Sequence, residues 1–328
     1  MPRRVFVVGV GMTDFLKPSK ENPEYFTLAA EAGKRALRDA GIQYWDVDTV
    51  VAGYCYGDST CGQRSVYEMG MTGIPVVNVN NNCATGSTSL WIGRGLVSGG
   101  TTECVLALGF EKMDPGSLGS KFEDRENPCE KHFLAMAEIR GVGAAPPMPQ
   151  MFGNAALEHM KKHGTTKSHL AKIAAKNHRH SANNPYSQFR DVYTEEEVAA
   201  SRKVFGPLTK LQCCPTSDGA AAAILCSEDF VNKHRLHGRA VEVLGMSLRT
   251  DSAATFGDPT CMRLVGYDMS REAAVACLAE AGVGVGSVDV VELHDCFSAN
   301  EMITYEAIGL CEEGGAGKFI DSGANTYG

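Results

Sequence analysis

The chain says nearly the same thing twice. Residues 29–51, AAEAGKRALRDAGIQYWDVDTVV, are echoed at a constant offset of 241 by residues 270–292, SREAAVACLAEAGVGVGSVDVVE. The offset aligns Ala32 with Ala273, Leu37 with Leu278, Ala40 with Ala281, Gly41 with Gly282, Val47 with Val288, Asp48 with Asp289 and Val50 with Val291. Each copy follows a short apolar segment ending near glycine, RVFVVGVG in the first and AVEVLGM in the second. Both therefore predict strand, helix, strand with matched lengths, and they restrict the fold to architectures with two similar α/β halves. The first copy continues through Cys83, a helix over TSLWIGRGLVSGG and a strand over VLALGF. At the same offset Gly328 corresponds to Ser87, so the second half is expected to be truncated, short of its symmetric counterpart by about 40 or more residues.

Between the copies lies a segment of different character, with the turn signals DPGS, GVGAAPPMP and SANNP, before the strand AAAAILCSE returns the chain. The expected division is 1–111 plus 212–237 for the first half, 112–211 for an inserted loop domain, and 238–328 for the incomplete second half. A length of 328 residues suits two or three domains of ~100–200 residues each. With 44% hydrophobic residues, 21% charged and a net charge of −8, the chain is too apolar for disorder. It also lacks the basic balance of a nucleic-acid binder. The apolar run after MPRR is too short for a secretory signal, no stretch approaches the ~18 residues of a transmembrane helix, and NTYG carries no recognisable targeting tripeptide.

Twelve cysteines without a signal peptide point to a reducing compartment. No CxxC pair occurs, and the pairs Cys129/His132, His159/His163 and His178/His180 each lack a second half at ligand spacing, so no metal is expected. Residues 155–211 hold ten basic residues, among them Lys161, Lys162, Lys172 and Lys176, against five acidic ones, a net +5 inside an acidic protein. Such a patch can attract a polyphosphate such as the nucleotide end of coenzyme A, or can be a solvated helical face.

Chemistry centres on Cys83. VVNVNNNCATGSTSLW reads as a strand, then the cysteine, then small residues opening an apolar helix. That places the sulfur at a strand-to-helix turn facing the positive end of the helix, where a thiol ionises below its free pKa of about 8.5. Most of the other eleven cysteines fit buried, inert positions. GVGMTD, residues 9–14, half-matches a dinucleotide-binding GxGxxG loop, but Asp14 occupies the third glycine position, so a Rossmann oxidoreductase is a weak alternative.

With Cys83 at this turn, the chain resembles the thiolase superfamily, whose two halves share a pseudo-repeated α/β unit. VELHDCFSANE, residues 291–301, resembles the HDCF signature of sterol-carrier-protein-type 3-oxoacyl-CoA thiolases, and TSDGAAAAIL, residues 216–225, is similar to the family's Asn-Asp-Gly-Ala-Ala block with Ser217 in place of Asn. The resemblance implies an α/β fold of two helix-covered mixed sheets in a layered α/β/α/β/α arrangement. It implies retro-Claisen cleavage of a 3-oxoacyl-CoA, with Cys83 as nucleophile, Cys296 as acid and base, His294 stabilising the enolate oxygen, and Phe297 lining the pantetheine channel. Coenzyme A is then a co-substrate, and no cofactor is expected. The subfamily's branched and sterol side-chain substrates, peroxisomal location and homodimeric state follow as expectations. One departure stands: thiolases carry a Gly-His-Pro block whose histidine activates the nucleophile, and no such block occurs in these 328 residues. The alternative is therefore a non-catalytic acyl-CoA or lipid-binding protein, or a regulatory short form. Chemistry at Cys83 separates the two.

Overall fold

Apolar residues alternate with neighbours of the opposite face along each long strand, and this period of two builds a sheet covered on both sides. The computed structural model describes residues 2–116, 119 and 122–327. The chain runs through β1 (Val5–Met12), α1 (Tyr25–Ala40), β2 (Thr49–Gly53), α2 (Cys61–Tyr67), β3 (Val76–Val79), α3 (Thr85–Ser98) and β4 (Cys104–Glu111). Helices α4 (Glu130–Arg140), α5 (Pro147–His163), α6 (Lys167–Ser181) and α7 (Glu195–Ala200) lead to a hairpin of β5 (Lys203–Phe205) and β6 (Leu208–Thr209). After these come β7 (Gly219–Ser227), α8 (Glu228–His234) and β8 (Val241–Glu242). The chain then passes through α9 (Ala253–Gly257), α10 (Cys261–Leu264), α11 (Tyr267–Ala281), α12 (Ser298–Ala307) and α13 (Ala316–Asp321).

Contacts divide the chain into two units. The first comprises residues 1–116, 185–188 and 216–248, and the second residues 117–184, 189–215 and 249–328. The compositionally distinct middle segment is thus not a body of its own. Its helices share a core with the C-terminal segment, because α5 and α6 bury Met151, Ala155, Leu170 and Ile173 in one cluster with Met302, Ile303 and Tyr305 of α12.

The first unit holds a six-stranded sheet in the order β3-β2-β4-β7-β1-β8. Strands β2, β3 and β4 are parallel, whereas β7 runs antiparallel to both β4 and β1. On one face Val8, Val50, Leu106 and Ile224 pack against Leu28, Ala32, Ala36 and Leu37 of α1. On the other, Val5, Val51, Val105 and Leu225 meet Val97 of α3. Close approach of α1 to β1 requires glycine: a Cβ at Gly9 or Gly11 would lie 2.5 Å or 2.4 Å from a helix carbonyl oxygen. Gly9 and Gly11 therefore sit inside a strand paired with β7, not in a phosphate-binding turn, and the dinucleotide reading falls.

The repeat is real in three dimensions up to a definite point. Gly41 ends α1 with φ +73° and Gly282 ends α11 with φ +69°, each in the left-handed region that glycine enters without a Cβ penalty. A single 3₁₀ turn follows each helix, Tyr44–Asp46 and Val285–Ser287, again at an offset of 241. The copies then part. The first enters β2, whereas residues 288–295 have no ladder partner among the described residues and leave Val288, Val290 and Val291 exposed. AVEVLGM pairs through Val241 and Glu242, with the Val243 N–H donating to the Val5 carbonyl, on the edge of the first sheet beside β1. The second mixed sheet expected from the repeat is therefore not formed among the described residues, since a strand without a neighbour has nothing to satisfy its backbone groups.

Candidate active site

Cys83 lies where the sequence puts it, in a 3₁₀ turn (Asn82–Ala84) between β3 and α3, and it is exposed. The turn is tight enough that Asn82 adopts φ +45°, a conformation asparagine tolerates better than most residues. Thr85 holds it. The Thr85 hydroxyl accepts the Asn81 N–H at 2.8 Å and donates to the Asn82 carbonyl at 2.7 Å. Asn81 Nδ2 further donates to Thr88 Oγ1 at 3.0 Å. A glycine in the sheet lets the helix come close: a Cβ on Gly53 would sit 2.7 Å from Thr85 Cγ2 and 2.8 Å from Ser89 Oγ. The 14-residue α3 thus begins two residues after the cysteine, which puts the positive end of its dipole beside it.

A second thiol packs under the turn. Cys55 donates to the Asn82 carbonyl at 3.3 Å, and its sulfur lies 3.2 Å from Thr85 Oγ1. Its backbone N–H and that of Tyr56 donate to Glu111 at 2.9 and 3.1 Å. Burial raises the Cys55 pKa, and the nearby Glu111 charge adds to it against the Thr85 hydrogen bond. Cys55 is thus held as the thiol while Cys83 faces solvent. Burial likewise pushes Cys213, Cys226 and Cys311 to about 12 and Cys261 to about 11, the inert behaviour expected of core cysteines.

In the second unit, Cys296 is buried two residues before α12, and its carbonyl accepts the Cys214 N–H at 2.9 Å. Phe297 is buried, stacked on Phe152 with centroids 4.9 Å apart, and bridges to Cys213. His294 is exposed at one edge. Crowding by the surrounding chain lowers its pKa, and the Asp295 charge only partly offsets this, so the ring is neutral near pH 7. Its carbonyl accepts from Asn300 Nδ2 at 2.6 Å. A polar network on α6 holds the segment: Asn177 Nδ2 donates to Asp295 at 2.7 Å and to Glu301 at 2.6 Å, and buried Glu301 also takes Lys176 and the Tyr305 hydroxyl. Desolvation and the Glu301 charge raise the Asp295 pKa.

The structure thus brings Cys83 together with Cys55, Thr85 and Glu111 in one unit, and His294, Cys296 and Phe297 with Asn177 and Phe152 in the other. Sequence reasoning missed Cys55, although the offset of 241 pairs it with Cys296. It also overcounted free charge in the basic segment: Lys162 pairs with Glu313 at 2.6 Å, Lys172 with Asp321 at 2.7 Å, and Lys176 with Glu301. No helix among the described residues is long and apolar enough to cross a membrane.

Residues 5–229 match the family model described as "Thiolase, N-terminal domain", and residues 258–328 match "Thiolase C-terminal domain-like". The chain is 60% identical to sterol carrier protein 2 of Gallus gallus over its whole length, but spans only 60% of that relative. It is 46% identical to non-specific lipid-transfer protein-like 2 of Caenorhabditis elegans, covering 99% of this chain and 80% of the relative. Among solved structures, an Ltp2-ChsH2(DUF35) aldolase superposes with a TM-score of 0.79 at 21% identity, over 98% of this chain and 81% of the other. Human mitochondrial 3-ketoacyl-CoA thiolase in complex with CoA gives 0.70 at 20% identity, over 94% and 83%.

Proposed function

The chain belongs to the thiolase family, and on that premise we propose that it carries the machinery for thiolytic cleavage of 3-oxoacyl-CoA. The observation that carries this reading is the exposed Cys83 sulfur at the N-terminus of α3. In the proposed reaction the Cys83 thiolate adds to the 3-oxo carbon, the C2–C3 bond breaks, and a shortened acyl group stays on sulfur. The electron pair of the broken bond becomes the enolate of acetyl-CoA, or of propionyl-CoA for a 2-methyl-branched substrate. Cys296 gives that enolate a proton and becomes a thiolate. It then takes the proton of incoming coenzyme A, whose sulfur attacks the acyl group and releases Cys83. A thiol suits both transfers because its pKa lies close to that of the thiol it deprotonates. His294, kept neutral, donates a hydrogen bond to the enolate oxygen. The α3 N-terminus favours the Cys83 thiolate.

Branched and sterol side-chain acyl groups, a peroxisomal location and a homodimer belong to the same proposal. Coenzyme A enters it as co-substrate, with no cofactor. A non-catalytic acyl-CoA binder is the competing account. The test is a thiolysis assay with a 3-oxoacyl-CoA and coenzyme A, following acyl-CoA products by chromatography. Wild type is expected to turn over, and Cys83→Ala and Cys296→Ala to lose ~10³-fold or more. Saturable CoA binding with no turnover in wild type would favour the binder.

A further inference from the structure

His159 and His163 stand four residues apart on the last turns of α5, so their rings share one face, with centroids 4.7 Å apart. A third group arrives from far along the chain. Glu306, at the end of α12, places Oε1 2.9 Å from His159 Nε2, and one ligand atom from each of the three residues lies within 4.8 Å of the others. His159 is completely buried and Glu306 is 5% exposed. The other nitrogen of His159, Nδ1, is 2.8 Å from the buried Thr165 hydroxyl, and Glu306 Oε1 also accepts the Ala316 N–H at 3.0 Å.

A hydrogen-bonded His–Glu pair accounts for those atoms but not for two others. Glu306 Oε2 and His163 Nε2 are both buried without a hydrogen-bond partner, in the same cluster. Each would cost about 1–3 kcal/mol if left so. The backbone closes one side, since a Cβ on Gly314 would meet His163 Nδ1 at 2.6 Å. At the solvent rim Glu313 Oε1 approaches His163 Nε2 to 3.8 Å.

We propose that His159, His163 and Glu306 form a binding site for a divalent transition-metal ion, with zinc the best match to two imidazoles and one carboxylate. The protonation states agree with that donor set. Burial works against ionised Glu306, but the hydrogen bond from His159, with that from the Ala316 N–H, outweighs it and holds the carboxylate below its usual range. Burial, then the neighbouring His159, keeps His163 neutral. The metal takes the place of the proton on His159 Nε2. The ring then carries its proton on Nδ1 and donates it to Thr165 Oγ1, the outer hydrogen bond that orients a metal-bound imidazole. Glu313 or water completes the fourth position. The ion would clasp α5 to α12, two helices whose partners lie 147 residues apart.

The test titrates the chelator-treated chain with Zn²⁺ alone by calorimetry and thermal melting, and with Co²⁺ by visible absorption. One zinc per chain is expected, with a higher melting temperature and a cobalt spectrum free of the intense near-ultraviolet thiolate band. His163→Gln, at a partly exposed position, should abolish the zinc-induced rise while keeping the circular dichroism of the metal-free wild type. Thr165→Val should weaken zinc by ~10–100-fold. Absence of saturable zinc uptake by wild type overturns the proposal. So does a thiolate band with zinc affinity unchanged in His163→Gln, which would put the metal on cysteines.

Discussion

At the scale of single residues, the site depends on one threonine more than on the cysteine's sequence neighbours. Thr85 ties Asn81 and Asn82 into the turn that displays Cys83, and it touches Cys55 beneath. Thr85→Val keeps the shape and removes the hydroxyl, so two backbone groups lose a partner. Unfolding in urea should show a loss of about 1–3 kcal/mol. Exposure also separates the two thiols. A limiting alkylating reagent at pH 7 should modify Cys83 well before Cys55, whose pKa burial raises, and peptide mass mapping reads the order. His294 gives a pH prediction. Its folded pKa lies below the ordinary 6.5, so as pH falls below 6.5 the unfolded chain takes up a proton that the folded chain does not. Stability is lost from there down through the folded pKa, and the urea midpoint of wild type should fall more steeply than that of His294→Gln. Cys83 was legible because small residues between a Val/Asn strand and an apolar helix mark a turn. Thr85, Cys55 and Glu111 were not, because hydrogen bonds between residues 30 and 56 apart leave no local pattern.

Among the elements, glycine sets how closely helices meet the sheet. At Gly53 a side chain would push directly on Thr85 and Ser89, so Gly53→Val should cost about 1–3 kcal/mol or more and displace the turn carrying Cys83. Thermal melting measures the first effect and the alkylation rate of Cys83 the second. The two helix ends at Gly41 and Gly282 show what the repeat encodes well: a local rule of helix, left-handed glycine and 3₁₀ turn that needs no distant partner. Strand formation is different in kind. Val288, Val290 and Val291 carry the same β propensity as Val47, Val50 and Val51, yet only the latter region meets a parallel neighbour on each side. Propensity is local and a ladder is not. For the same reason the i, i+4 histidines of α5 were visible in the sequence while the carboxylate that joins them from α12 was not.

For the whole molecule, the family and its mixed α/β fold could be read from one repeat and two short motifs. The grouping of the chain into units could not, because composition sets the middle segment apart whereas packing joins its helices to the C-terminal ones. The central claim is that Cys83 is an acyl-accepting nucleophile. The most direct measurement is the intact mass of the protein after incubation with a 3-oxoacyl-CoA, with Cys83→Ala as control. The account predicts an acyl adduct on wild type that is absent from Cys83→Ala and disappears when coenzyme A is added. An unmodified wild-type mass under conditions where CoA binds, or an adduct that persists in Cys83→Ala, would contradict it.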